Sequence, residues 1–579
     1  MIATRALFMY TVAGKKVIIC ARSSAALVAR VARMAACQPC LPQRTYPGPR
    51  LPDGRPRARA TRVSPRAIPD DAVILLASPP RGEEQEEEEE PRGVRVRDFV
   101  DAFERAERDA HSDVNPSGAC DLTRAESRLL EGKESARGWA LGGIERAAPT
   151  TGAELKAEAA RVLVDAGFGT PLAEGWLDPG WLTVLSTNAE AAAVEHVVEA
   201  CVETFRVETS SSSSSSDGAA ATAPATTKTA GVVVVAPYRP AFLRSQTRCL
   251  NARSRAFAVV STDPAAFGGD VAKALDAAEA FLRTERGATS SVAAVVFGNP
   301  SPATGLLASP RLVSETYAWC DARVACHAIA DETGALAAEA SFLSSDDEND
   351  VYDGDTALRD VRDGVAWGRA AGFASSTSLW PKAASETRHA VASFGAAGGA
   401  RRGKTTCFLI SRNTALAKRV RSDPFAAALQ GTLADGGVAA RDAFGFHGAL
   451  LHERRRFAVA RFARLAVATG PPTNGKRKTP AAVAARADDG GLHVWVDLRP
   501  FLPGSGASDD EDDARWDAEA KLWDALANTF GVLVVPGSLC GAFEPGFFRV
   551  AVAGEEATLR EGLERLELGI RSGNDAWRG

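Results

Sequence analysis

Residues 231–242 read GVVVVAPYRPAF. The first six are dominated by β-branched side chains, with no polar residue alternating among them. Such a run predicts a strand buried on both faces, as in a parallel sheet covered by helices on either side. Tyr238 and Arg239 stand just past its carboxyl end, between two prolines. Further along the chain, Ser291–Phe297 (SVAAVVF), Val324–Ala330 (VACHAIA), His389–Phe394 and Thr406–Ile410 have the same apolar character. Toward the amino terminus, Ala153–Ala166 sets Leu155, Ala159, Val162 and Leu163 at helical spacing, and Ala189–Val207 is a second helical stretch. Apolar strands alternating with helices predict an α/β protein with a mostly parallel sheet. In such sheets ligands lie in the loops after the strands' carboxyl ends, so those loops carry the candidate residues.

Several segments lie outside this pattern. Residues 1–69 hold thirteen Lys and Arg against one acid, Asp53, the composition of an organelle transit peptide or of a disordered basic tail. A chloroplast or mitochondrial location follows from the first reading, a cytoplasmic one from the second. Residues 70–112 carry the acidic run Glu83–Glu90 and a lead-in helix. The acidic run reads as solvated linker. Ser210–Ser216, Ser344–Asp355 and Ser505–Asp513 read as polar surface loops. The expected organisation is a large domain over 140–415 and a smaller one over 416–579, to which the N-terminal segment 113–139 also belongs.

The chain has 579 residues, 45% of them apolar and 24% charged, which suits two or three globular domains. A net charge of -5 argues against a nucleic-acid or membrane-surface partner. No apolar run has the length of a membrane-spanning helix. Among the ten cysteines, Cys37 and Cys40 form a CxxC without a second pair, so no metal site is expected and reduced thiols are the reading.

Taken in order, the strand-end loops share a pattern. FGNPSPATG spans Phe297–Gly305, AIADETGA spans Ala328–Ala335 and LVVPGSLCGAFEPGFFRVAVA spans Leu533–Ala553; NPSGACDLTRAESRL (Asn115–Leu129) and WVDLR (Trp495–Arg499) add to them. With GVVVVAPYRPAF they resemble the class I/II pyridoxal-phosphate-dependent aminotransferase superfamily, most of all its 1-aminocyclopropane-1-carboxylate synthase branch. The resemblance covers about residues 113–570. It implies a fold-type-I transferase: a seven-stranded, mostly parallel sheet between helices, a smaller C-terminal α/β domain, and a homodimer acting on a small amino acid.

The same resemblance assigns roles. Pyridoxal phosphate is an electron sink and needs a carboxylate beside its pyridine nitrogen. Asp331 matches that position, a turn or capping role being the alternative. Tyr238 matches a ring that stacks on the cofactor, or is a packed core tyrosine. Arg239 stands where the family has a second tyrosine, and a guanidinium stacks on aromatic rings as well. Arg549, in the apolar stretch FFRVAVA, matches the arginine that clamps the substrate carboxylate; an internal ion pair with Glu544 is the alternative. Glu126 matches a glutamate near the substrate amino group, or is an ordinary first-turn acid.

Elsewhere the pattern breaks. The lysine that bonds the cofactor falls on Ala396 or Ala397 in ASFGAAGGARRGKTT (392–406), so no catalytic lysine is expected there. Lys404 is the candidate for the phosphate cation, with an exposed basic loop as the alternative. The asparagine that meets the cofactor's phenolic oxygen falls on Pro302, and the tyrosine after the acidic pair falls on Gly334. Glu190 stands beside the phosphate-loop glycine position, and the tyrosine donated across the dimer falls near Thr150. Three readings follow. The chain is a silent homologue, an active enzyme using a displaced lysine such as Lys382 or Lys404, or a cofactor-free amino-acid receptor.

Overall fold

The computed structural model describes residues 7–12, 15–20, 73–76, 93–112, 114–123, 152–169, 177–187, 190–211, 230–240, 257–286, 291–337, 375–380, 386–394, 405–420, 438–469, 491–502 and 512–576. Eight strands form the main sheet. In chain order they are β1 (Val73–Leu76), β2 (Leu182–Thr187), β3 (Ala230–Val235), β4 (Phe257–Thr262), β5 (Ser291–Gly298), β6 (His327–Glu332), β7 (Arg388–Ser393) and β8 (Thr405–Ser411). Their order across the sheet is β1-β4-β3-β5-β6-β7-β8-β2. From β4 to β7 every neighbouring pair is parallel. β8 runs antiparallel to both β7 and β2. The seven strands from β4 to β2 are the expected mostly parallel sheet; β1 adds an antiparallel eighth at the edge, from the stretch read as linker.

The apolar runs explain the layering. All six residues of β3 and all six of β6 are buried. Alternate side chains point to opposite faces of a strand. Val233, Val235, Val295, Phe297, Ala328 and Ala330 therefore share one core with helices Gly152–Asp165, Val271–Arg286 and Pro310–Asp321. Val232, Val234, Ala294, Val296, Ile329 and Val391 share the other with helix Glu190–Ser211. The run at Val324 is not all strand: Val324 is 85% exposed and Ala325 turns through a φ of 58°, so β6 starts at His327.

A separate core gathers the C-terminal elements. β9 (His493–Asp497), β10 (Val535–Pro536) and β11 (Phe547–Ala551) pair antiparallel with β11 in the middle. Their inward residues Val494, Val496, Phe548 and Val550 pack with Leu451 and Phe462 of helix Val438–Thr469 and Leu563 of helix Glu556–Ala576. Phe99, Cys120 and Leu122 join the same core, and Cys120–Asp121 pairs with Val532–Leu533. In the basic leader, Leu7–Val12 and Lys15–Cys20 pair as an antiparallel hairpin. No helix of the described residues is long and apolar enough to cross a membrane. Cys120, Cys201, Cys320, Cys326, Cys407 and Cys540 are buried and form no disulfide among the described residues.

Gly298 ends β5 where the chain doubles back: a Cβ there would lie 2.3 Å from Pro302 Cδ and 2.8 Å from Ser301 Cα. Gly298→Ala should therefore displace the 299–305 loop and cost about 1–3 kcal/mol in urea unfolding. A cost under about 0.5 kcal/mol, the usual scatter of surface changes, would mean the loop folds back less tightly than this.

Candidate functional site

The parallel strands deliver three segments to one end of the sheet. Pro237–Pro240 follows β3, Asn299–Gly305 follows β5, and β6 ends on Asp331 and Glu332. The two acids point to opposite faces, so each has its own set of partners.

Asp331 is 1% exposed. Its Oδ2 accepts the Tyr238 hydroxyl and, at 2.6 Å, Nη2 of Arg239. Its Oδ1 accepts the Thr333 hydroxyl at 2.6 Å and the Thr333 amide at 3.2 Å. Arg239 Nη2 also donates to the Thr333 hydroxyl at 2.7 Å. A carboxylate offers about four acceptor positions, and these four donors fill them. The other side of the Arg239 guanidinium lies 3.8 Å from Glu190, the first residue of helix Glu190–Ser211. Burial opposes the charge on Arg239, but Asp331, with Tyr238 and Glu190, outweighs it and raises its pKa. Burial, then the negative charge of Asp331, pushes the Tyr238 phenol well above its ordinary value. Tyr238 is fully buried, and its amide donates to the Cys540 carbonyl at 2.9 Å.

Glu332 organises the other face. Its Oε1 accepts Asn299 Nδ2 at 2.9 Å and the Ser376 amide at 2.6 Å, and its Oε2 accepts the Ser375 hydroxyl at 2.6 Å. The Asn299 amide donates to the Asp331 carbonyl at 2.9 Å, which ties the β5 loop to the end of β6. Burial pushes the Glu332 carboxyl up to about 7, against the pull of those donors.

Arg549 lies in β11 and is 6% exposed. Its guanidinium donates to the carbonyls of Thr123 at 3.0 Å and Pro302 at 3.4 Å. Glu544, its alternative partner in the sequence, pairs with Arg499 instead. The loop that Arg549 touches also reaches the first segment, where the Ser301 hydroxyl donates to the Pro237 carbonyl at 3.3 Å. Tyr238, Arg239 and Asp331 thus touch one another, and Arg549 meets the other side of the adjoining loop. Glu126, Ala396, Ala397 and Lys404 lie outside the described residues. Two functional groups went unread in the sequence, Thr333 and Glu332. The adjacent acids at the end of an apolar strand were the available signal, since each had to be satisfied on its own side.

Residues 411–566 match the family described as aminotransferase class I and II. 1-Aminocyclopropane-1-carboxylate synthase 4 of Oryza sativa subsp. japonica is 40% identical over 98 residues, 17% of this chain and 18% of the relative. 1-Aminocyclopropane-1-carboxylate synthase 1 of Prunus mume is 34% identical over 124 residues, 20% of this chain and 23% of the relative. The matched stretch thus spans about a fifth of the length of these relatives. The multiple substrate aminotransferase of Thermococcus profundus superposes with a TM-score of 0.50 at 12% identity, over 83% of this chain and 95% of that one, a likeness of fold.

Glu332 makes stability depend on pH. Its folded pKa, about 7, exceeds the ordinary 4.5, so its contribution is complete below pH 4.5 and is lost as pH rises through 7. Glu332→Gln keeps a neutral group with matching donor and acceptor. Wild type should lose on the order of 1–3 kcal/mol between pH 5 and 7.5, and the variant correspondingly less, in denaturant titrations across that range. Equal slopes in the two proteins would mean that Glu332 is ionised throughout.

Proposed function

We propose that this chain, a member of the class I and II aminotransferase superfamily similar to 1-aminocyclopropane-1-carboxylate synthases, is a catalytically silent homologue that keeps the fold and does not run pyridoxal-phosphate chemistry. When bound, that cofactor supplies an electron sink, and its pyridine nitrogen needs a carboxylate able to accept a hydrogen bond. The observation that carries the reading is the state of Asp331. Four donors of the chain itself fill its acceptor positions, and Arg239 already brings the positive charge that a protonated pyridine would bring. A second cation at the same buried carboxylate would be repelled by the first. These residues do not fit the cofactor in the family's manner. Glu190 at the start of its helix adds a negative charge where the resemblance puts a phosphate. In sequence, alanine at both 396 and 397 agrees with this reading.

In this proposal the retained ligand chemistry is that of Arg549, which would receive the carboxylate of a small amino acid, with Glu126 beside its amino group. The homodimer is proposed with it, on the resemblance alone.

Incubation with pyridoxal phosphate, borohydride reduction and peptide mapping tests the proposal. Wild type should carry no stoichiometric pyridoxyl-lysine. A full adduct on Lys382 or Lys404 would overturn the silent reading in favour of an enzyme with a displaced lysine. Ala396→Lys or Ala397→Lys alone should trap little. Adding Arg239→Tyr removes the competing cation and opens one acceptor position of Asp331, and should raise trapping at least about tenfold, an offset of about 1.4 kcal/mol. Equal trapping with and without Arg239→Tyr would remove Asp331 saturation as the cause.

A further inference from the structure

Helix Glu190–Ser211 meets Arg239 with its first residue, and eleven residues further on it places Cys201 against the opposite end of the same strands. There it faces His327, the first residue of β6, and His389, the second residue of β7. His327 is four residues before Asp331, roughly 13 Å along the strand, so this cluster is separate from the candidate site. Cys201 and His389 are fully buried and His327 is 1% exposed.

One ligand atom from each of the three residues lies within 4.8 Å of the other two. The rings face each other, with His327 Nδ1 2.9 Å from His389 Nε2. His389 Nδ1 is 2.9 Å from the Ser411 hydroxyl, whose oxygen also accepts the Asn413 amide at 3.0 Å. That contact fixes the far side of the His389 ring and leaves Nε2 pointing at the cluster. His327 Nε2 is buried with no hydrogen-bond partner among the described residues. Buried polar nitrogens are normally satisfied, and the surroundings are the apolar core of Val194, Val198, Phe205, Ile329 and Val391. The two imidazoles hydrogen-bond each other, an interaction that a bound ion would replace, and the core offers His327 Nε2 no partner among the described residues.

We propose that Cys201, His327 and His389 form a buried structural site for one soft, thiophilic cation, the class shared by zinc(II) and copper(I). Thiolate and imidazole are the ligands this class prefers, at about 2.3 Å for sulfur and 2.0–2.1 Å for nitrogen. Side-chain shifts of about an ångström close the three atoms around a centre at those lengths. Ser411 then acts as the outer partner that holds a ligating imidazole in orientation. On binding, the Cys201 S–H bond breaks, a sulfur–metal bond forms and the proton passes to solvent. The imidazoles stay neutral and donate ring lone pairs. With a monovalent ion the centre is electrically neutral, which suits its burial; with a divalent ion one positive charge remains and favours a fourth ligand such as water.

The test uses the full-length chain, purified without chelator and analysed for metal by mass spectrometry. The metal-free chain is then titrated with zinc(II) in one arm and, anaerobically, with copper(I) in the other. One equivalent of either ion, with about one proton released and a raised melting temperature, is the expected result, and the arm that saturates identifies the ion's charge. Cys201→Ala and His389→Gln should each weaken retention about a hundredfold or more, and Ser411→Ala, which leaves all three ligands in place, about 10–100-fold. X-ray absorption of the loaded wild type should show sulfur together with imidazole nitrogen, which keeps the test decisive if a core variant fails to fold. Failure of wild type to retain either ion, a bound ion with no sulfur neighbour, or equal retention by folded Cys201→Ala overturns the site. None of these readings involves pyridoxal phosphate, so the outcome is independent of the proposal above.

Discussion

The ion pair between Arg239 and Asp331 is the constraint around which this end of the molecule is built. A carboxylate buried beyond the reach of water must be paired and fully hydrogen-bonded, or it takes up a proton. Asp331 meets that requirement with the chain's own groups from two strand ends, Tyr238 and Arg239 after β3 and Thr333 after β6. Breaking such a pair by removing one partner typically costs about 3–5 kcal/mol, because the other charge is left buried alone. The pair therefore fixes β3 relative to β6 and brings helix Glu190–Ser211 against Arg239 through Glu190.

The loop after β5 carries this constraint outward. Asn299 is held by Glu332 through its side chain and by the Asp331 carbonyl through its amide. Ser301 then reaches back to Pro237, and Pro302 accepts from Arg549 of β11. A continuous set of polar contacts thus runs from the centre of the main sheet to the C-terminal core. Most of them use backbone carbonyls and amides, which every residue provides, so their pattern has little imprint in residue type. The tight return at Gly298 makes the loop's path possible, since a side chain there would collide with Ser301 and Pro302.

Helix Glu190–Ser211 links the two sites by its length alone. At a rise of about 1.5 Å per residue, the eleven residues from Glu190 to Cys201 span roughly 16 Å, comparable with the separation of Asp331 and His327 along β6. One helix lying along one strand therefore supplies a carboxylate at one end and a thiol at the other.

Amino-acid order alone determined the layered α/β architecture. The runs at 231–236, 291–297 and 406–410 are too apolar to face water and match the strands that formed, and the helix over 153–166 lies within a residue of its observed bounds. Strand-end position and residue type also singled out Asp331, Tyr238 and Arg239, but not the bonds they make to one another. Strands β2 and β4 were not legible: LTVLST and FAVVST carry polar residues among the apolar ones, and the burial of Thr183, Ser261 and Thr262 follows only from tertiary packing. Tertiary structure alone decided that Arg239 takes up Asp331, that Glu544 goes to Arg499 and not to Arg549, and that Cys201, His327 and His389 meet. The physical reason is that charge pairing and coordination depend on distances of a few ångströms between residues 45 to 188 positions apart in the chain, and local residue preference holds no information about such distances.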